Sequence, residues 1–270
     1  MKMSRRRFIS SLLALGGLAA IDVGVLEPRV VLSVSEVELS FDSGWGYTLT
    51  VAHVSDIHMP SGPSLVYEQA VKRVEERRPD LIVFTGDSLS SKAGKDEAKE
   101  FLFRLSELAP TYAVWGNWDH YSLGHRVPRY GEELEREGVE VLMNEAIRLE
   151  GEVWIVGVDD PYTARDDLEK ALSRVPREAF KILLAHSPQV IGEARDRVDL
   201  VLAGHTHGGQ VRLPLIGSLY VPLPRQYRGY VSGLYEVGGT KLYVNRGLGT
   251  SILPVRFLCP PELTIYTLKF

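Results

Sequence analysis

Five apolar runs of strand length in this chain each end in a side chain able to hold a cation. Residues 47–55 run into Asp56-Ile57-His58, and Leu81-Ile82-Val83-Phe84 runs into Thr85-Gly86-Asp87. Residues 111–115 lead to Gly116-Asn117, residues 180–185 to His186, and residues 199–203 to Gly204-His205-Thr206-His207. Short apolar runs bounded by turn residues read as buried strands. Helical spacing marks residues 63–78, 95–108, 165–174 and 190–197, so strands and helices alternate. That alternation predicts an α/β fold with largely parallel sheets, in which ligands bind beyond the C-terminal ends of the strands. Asp-x-His and His-x-His at a strand end place both side chains on one face if the backbone stays extended. His53, inside its strand on the parity of Val51 and Ser55, reads as packing.

Residues 30–41 alternate as a strand. Residues 139–142, 146–150 and 153–158 read as a meander of short strands, with Asp159-Asp160-Pro161 as a loop. Residues 212–228 are rich in Pro, Gly and Tyr and read as a long loop, followed by strands at 229–237, 241–244 and 264–268. In the Gly-rich stretch Asn245-Arg246-Gly247-Leu248-Gly249, Arg246 carries a fork of donors suited to a phosphate. The composition, 44% hydrophobic and 24% charged, supplies one large α/β core over residues 30–270. A net charge of −4 argues against a nucleic-acid partner, which usually meets a basic surplus. Cys259 is the single cysteine, so no intramolecular disulfide forms.

Residues 1–26 stand apart. Ser4-Arg5-Arg6-Arg7-Phe8-Ile9 is a twin-arginine pattern, and residues 12–21 are apolar and rich in Gly and Ala. That order marks an export signal. The run is short for a membrane span, and Leu18-Ala19-Ala20 is a poor cleavage site, which leaves retention as an N-terminal anchor open. The expected location is outside the cytoplasm by the twin-arginine route, or at the outer face of the cytoplasmic membrane. Cytoplasmic membrane association is the second choice.

Asp56, His58, Asp87, Asn117, His186, His205 and His207 form a nitrogen and oxygen donor set without thiolate. It suits two divalent ions, manganese first, with iron, zinc, cobalt and nickel as alternatives. Two such ions can share a carboxylate and poise water for in-line attack on phosphorus. A competing pattern sits at the same place: Gly86-Asp87-Ser88-Leu89 spells the GDSL serine-hydrolase signature. That reading needs the block near the mature N-terminus and a later Asp-x-x-His, and neither condition holds. Ser88 therefore reads as a turn residue.

In this order, Asp-x-His, Gly-Asp, Gly-Asn-x-Asp, a lone His and Gly-His-x-His resemble the calcineurin-like metallophosphoesterases, from about residue 48 to the C-terminus. The twin-arginine start and the Asn245-Arg246-Gly247…Cys259-Pro260-Pro261-Glu262 stretch are most similar to the YkuE/YaeI-type bacterial phosphodiesterase branch. The resemblance implies a four-layer α/β-β/α sandwich and phosphodiesterase activity. It implies a first metal on Asp56, His58, Asp87 and His207. Asp87 would bridge to a second on Asn117, His186 and His205, with a bridging water as nucleophile. The family commonly has Gly-Asn-His, whose His assists the leaving group; here that position is Trp118. Either His120 takes over part of that role as a catalytic residue, or no strong acid is needed. The latter favours phosphodiester or pyrophosphate substrates, including nucleotide-lipids such as the lipid A precursor UDP-2,3-diacylglucosamine, whose hydrolases also lack the His. Trp118 would then form an apolar substrate-binding wall beside Arg246. The alternative from another class is a metal-binding cell-envelope protein with little turnover.

Overall fold

The computed structural model describes residues 24, 28–59, 64–149 and 151–270. Apart from Gly24, the expected export segment lies outside the described residues. Two six-stranded sheets stack face to face. The first runs β1 (Ser33–Ser40), β14 (Glu262–Lys269), β2 (Thr48–Val54), β3 (Leu81–Thr85), β4 (Thr111–Val114), β5 (Val139–Val141). The second runs β12 (Gly233–Val237), β13 (Thr240–Val244), β9 (Leu200–Ala203), β8 (Phe180–Leu184), β7 (Val153–Gly157), β6 (Glu145–Arg148). β2 through β5 are parallel, as are β13, β9, β8 and β7; the antiparallel pairs are β14 with β2, β12 with β13 and β6 with β7.

The alternation of side chains along each strand builds the layers. Val51, Val83 and Val114 point inward against Ile155, Ile182 and Leu202 of the facing sheet. Their neighbours Ala52, Ile82 and Phe84 point outward. They pack on Val66, Ala70 and Val74 of α1 (Leu65–Arg77) and on Leu102 and Leu105 of α2 (Lys95–Ser106). On the outer face of the second sheet, Leu183, Val201 and Leu242 meet α5 (Leu168–Leu172) and α6 (Ile191–Ala194). Both faces of both sheets are covered, which is why the strands read as continuous apolar runs. The four-layer α/β-β/α sandwich expected from the sequence is the observed fold. The loops that leave β2, β3, β4, β8 and β9 meet at one edge of the sandwich, where the candidate ligands lie.

Two local readings change, and two helices stand where the sequence pattern marked none. Residues 139–158 do not form a meander: β5 closes the first sheet, and β6 and β7 edge the second, so the chain changes sheets between Val141 and Glu145. Two helices follow the Gly116-Asn117 turn, α3 (Asn117–Leu123) and α4 (Val127–Arg136). Inside the loop expected at 212–228 lies a small hairpin, β10 (Arg212–Leu213) with β11 (Gly217–Ser218). His53 is fully buried on the parity expected, between the Tyr266 hydroxyl at 3.0 Å and Thr85 Oγ1 at 2.8 Å. Among the described residues no helix is long and apolar enough to cross a membrane.

Candidate metal centre

The strand-end loops do not continue extended. Asp56, His58, Asp87, His205 and His207 all take left-handed backbone, with φ of 51°, 52°, 56°, 70° and 51°. Such conformations are costly for residues other than glycine and gather at functional sites. The loops brace one another: Asp56 N–H donates to Gly86 O at 2.9 Å, and His58 N–H to Asp87 O at 3.0 Å. The approach is close enough that two positions must lack a side chain. A Cβ on Gly204 would stand 2.0 Å from Ser55 Oγ, and one on Gly116 would stand 2.2 Å from Asp87 Oδ1.

The left-handed turns overturn the expectation that His205 and His207 share a face. They diverge into two buried clusters, Asp56-His58-His207 and Asp87-His186-His205, each with its ligand atoms within 4.8 Å of one another. In the first, His58 Nε2 lies 3.0 Å from His207 Nε2, and His207 Nε2 lies 3.4 Å from Asp56 Oδ1. In the second, His186 Nε2 lies 3.3 Å from Asp87 Oδ2, 3.0 Å from His205 Nδ1 and 3.2 Å from Asn117 Oδ1. Asp87 Oδ2 also lies 3.4 Å from His58 Nε2, so one carboxylate oxygen faces both clusters.

The donor chemistry of the second cluster fits a cation. His186 Nδ1 faces Thr85 O at 2.8 Å and His205 Nε2 faces Pro222 O at 2.9 Å. A carbonyl only accepts, so both of those nitrogens carry the hydrogen. Lone pairs of His205 Nδ1, Asp87 Oδ2 and Asn117 Oδ1 therefore converge on His186 Nε2. A proton on that nitrogen serves one of them at a time; a divalent cation serves all of them. Metal-ligating imidazoles characteristically donate their other N–H in this way.

Burial opposes every charge here. It pushes His58 down to about 3, and His205 and His207 well below their ordinary value. The carboxyls of Asp56 and Asp87 are pushed up by the same burial. For His186 burial acts downward too, but the Asp87 and Asp56 carboxylates outweigh it and hold the ring above its ordinary value. A divalent ion needs neutral imidazoles and ionised carboxylates: burial supplies the first at His58, His205 and His207, and the protons on the His186 and aspartate side are ones a bound cation would displace.

Two supporting residues escaped the sequence reading. Asp119 is fully buried and accepts the N–H groups of Asp87, Ser88, Leu89 and Gly116 at 2.9–3.2 Å. The Ser88 hydroxyl donates to the same carboxylate at 2.6 Å, so it faces an acid and no imidazole. This fixes the Asp87 loop and removes the serine-nucleophile geometry. Asp119 stands inside Gly-Asn-x-Asp, a signal visible in the sequence. Arg256 is also fully buried. Its guanidinium donates to the carbonyls of Arg246, Gly247, Gly249 and Cys259, and Nη2 lies 3.3 Å from His207 Nδ1. Nothing in the local sequence marks it.

Other expected residues divide. Trp118 lines the cleft above the centre, its ring edge-on to His58 at 5.9 Å. Arg246 is not among the residues lining the cleft: its Nε pairs with Glu262 at 3.1 Å and Nη2 donates to Ser33 Oγ at 3.2 Å. His120 is buried and bonds Asp159 Oδ1 through Nε2 at 2.6 Å, and it is not among the cleft's lining residues. The cleft holds about 480 Å³, with Asp87, Asn117 and His207 at its base and Trp118, Tyr121 and Tyr162 in its wall.

Residues 49–209 match the family model described as calcineurin-like phosphoesterase. Over 99% of its length the chain is 32% identical to the metallophosphoesterase YkuE of Bacillus subtilis, covering 98% of that protein. It is 33% identical to the phosphodiesterase YaeI of Escherichia coli, over 81% of each chain. It is also 32% identical to a transmembrane protein with a metallophosphoesterase domain from Danio rerio, over 97% of this chain and 61% of that one. The crystal structure of TT1561 from Thermus thermophilus superposes with a TM-score of 0.51 at 16% identity, covering 75% of this chain and 91% of that one. At that identity the likeness speaks for the fold.

Proposed function

The chain belongs to the calcineurin-like phosphoesterase family, a metal-dependent phosphoester hydrolase, and from that premise we propose that it cleaves phosphodiesters or pyrophosphates at a two-metal centre. A lipid-linked nucleotide such as UDP-2,3-diacylglucosamine falls within this class. The observation that carries the reading is the position of Asp87 Oδ2, 3.4 Å from His58 Nε2 and 3.3 Å from His186 Nε2. One carboxylate between two donor clusters is the geometry of a bridging ligand. Asp56, His58 and His207 hold one site; Asn117, His186 and His205 hold the other. Divalent ions there supply Lewis-acid polarisation of the phosphoryl oxygens and an acidified water at neutral pH.

The chain's own residues then set the substrate class. Trp118 occupies the position of the usual family His, and an indole gives up no proton to a departing alkoxide. His120 is bound to Asp159 outside the cleft lining. A leaving group must therefore depart as a stable anion, as a phosphate ester or nucleotide does and a simple alkoxide does not. Trp118, Tyr121 and Tyr162 offer aromatic walls for a base or an acyl chain. The Arg5-Arg6-Arg7 run and the apolar residues 12–21 support export by the twin-arginine route, or retention at the outer face of the cytoplasmic membrane.

The test is the rate of metal-loaded protein on aryl phosphodiesters whose leaving groups differ in pKa. A steep fall with rising leaving-group pKa, unchanged in His120→Ala, is expected. A flat dependence that becomes steep in His120→Ala makes His120 the acid and overturns the substrate class. Metal analysis of the same preparation gives two ions per chain if the two-site reading holds.

A further inference from the structure

The β10–β11 hairpin and the 252–253 loop carry exposed residues that a water-facing surface seldom assembles. Leu215 and Ile216 form the tip of the β10–β11 hairpin, Leu215 fully exposed and Ile216 71% exposed. Ile252 and Leu253, 85% and 63% exposed, line the cleft with Leu219 and Tyr220, and this loop is tied to the chain just ahead of the hairpin by Gln210 Nε2 donating to Leu253 O at 3.1 Å. Leu215 and Ile252 both sit in left-handed backbone, φ 68° and 64°, which large apolar residues rarely adopt. The turns thus hold bulky apolar side chains outward on strained backbone. Contiguous apolar patches of this kind mark interaction surfaces.

Charge narrows the occupant. Between Asp199 and Glu262 the only acidic residue is Glu236, whereas the same stretch holds Arg212, Arg225, Arg228, Lys241, Arg246 and Arg256. Arg225 and Arg228 are exposed on the loop that follows the hairpin. Arg256 is buried, and Arg246 and Lys241 pair with Glu262 and Glu236, so the charge this stretch shows to solvent is a small basic surplus carried by Arg225 and Arg228. Apolar tips with flanking arginines suit the headgroup and acyl boundary of an anionic bilayer.

The place where the N-terminal segment joins the body points to the same occupant. Gly24 O accepts the N–H of Arg256 at 3.0 Å, and a Cβ on Gly24 would stand 3.2 Å from Val255 Cγ1. Pro28 and Arg29 line a small cleft with Gly249, Thr250 and Pro254. In the sequence the apolar run 12–21 ends three residues before Gly24, which itself lies against the 255–256 segment.

We propose that the β10–β11 tip and the 252–253 loop are a membrane-docking face. They enter the surface of an anionic bilayer with Arg225 and Arg228 at headgroup level. The cleft then opens onto the bilayer, and its substrate is a membrane lipid whose phosphodiester or pyrophosphate reaches the centre while the acyl chains stay in the lipid. The substrate part rests on the hydrolase reading above; the docking part does not.

The buried Cys259 is the single native thiol, so Ile216→Cys in the full chain takes a polarity-sensitive thiol dye selectively. Arg148→Cys, on β6 at the opposite edge, is the control. With vesicles of phosphatidylglycerol and phosphatidylcholine, the dye at 216 shifts to the blue and is quenched several-fold by brominated lipid; the dye at 148 is not. Phosphatidylcholine alone gives a weaker response. A dye at 216 that stays open to aqueous iodide with vesicles present overturns the docking face, as does an equal response at 148. A blue shift that needs no vesicles and grows with protein concentration assigns the face to a second copy of this chain and also overturns it. Leu215→Asn with Ile216→Ser, outside the cleft, lowers turnover of a vesicle-borne phosphodiester several-fold and leaves bis(p-nitrophenyl) phosphate turnover unchanged. Equal turnover of both substrates by the variant removes the lipid-substrate part. Wild-type protein that docks but hydrolyses neither substrate sinks the hydrolase reading and leaves the docking face standing.

Discussion

The two halves of the metal centre are held in place by different means. The Asp87-His186-His205 half is fixed by nearby backbone: the carbonyls of Thr85 and Pro222 set both imidazole tautomers, and Asp119 clamps the Asp87 loop. The Asp56-His58-His207 half leans on the C-terminal region. Gly249 N–H donates to Asp56 O at 2.7 Å, Leu248 N–H to Ser55 O at 3.0 Å, and the Arg256 guanidinium fastens the 246–249 loop. One half is organised by carbonyls and a buried carboxylate, the other by a buried cation. The lesson is that a two-metal site need not be equally robust on both sides.

Asp87→Asn breaks the comparison outright, because it removes the charge shared by both halves. It should lower phosphodiester turnover more than about a thousandfold, about 4 kcal/mol in the barrier, and release both ions on dialysis. Arg256→Met should separate the halves. It leaves buried carbonyls without donors and costs about 3 kcal/mol or more of stability in a urea melt. Metal analysis should show one ion lost first, and adding His58→Ala to Arg256→Met should remove no further metal. Asp119→Asn turns an amide N–H2 toward backbone N–H groups, which only donate, and it should loosen metal binding about 10–100-fold on the Asp87 side, read by competition with a chelator.

A smaller effect sharpens the electrostatic side. His53 titrates at about 3 in the folded chain because burial disfavours its charge, whereas an unfolded His takes a proton near 6.5. Its contribution is complete above the unfolded value. As pH falls toward 3 the unfolded chain binds a proton that the native chain refuses, so stability declines. His53→Gln should make the decline shallower between pH 6.5 and 3 in thermal melts. An unchanged slope assigns the acid sensitivity to the other buried imidazoles alone.

The positions of the candidate ligands are legible in the sequence, because an acid, amide or imidazole just after an apolar run is a local signal. The structure brings Asp56, His58, Asp87, Asn117, His186, His205 and His207 to one place. What stays hidden are relations that depend on distant partners. The His205-x-His207 pair reads as sharing a face only if strand periodicity is carried past Ala203, where the chain turns left. Arg246 reads as free to meet a phosphate because Glu262, sixteen positions on, is invisible to a local reading. Arg256 carries no mark at all, since its burial exists only once the 246–249 loop has closed on Asp56. The change of sheet after β5 is equally silent, because a strand's neighbours are set by packing and not by its own pattern.

The insertion of β14 between β1 and β2 has a consequence for biosynthesis. Thr264 pairs with His53 and Glu262 with Ser33, so the last of the described strands to be made joins β1 to the rest of the first sheet. While the ribosome works through the intervening stretch, for roughly 10–40 s at ordinary elongation rates, β1 has no partner and β2 has one edge bare. Until residues 262–269 emerge, the bare edge of β2 is open to pairing with the wrong strand.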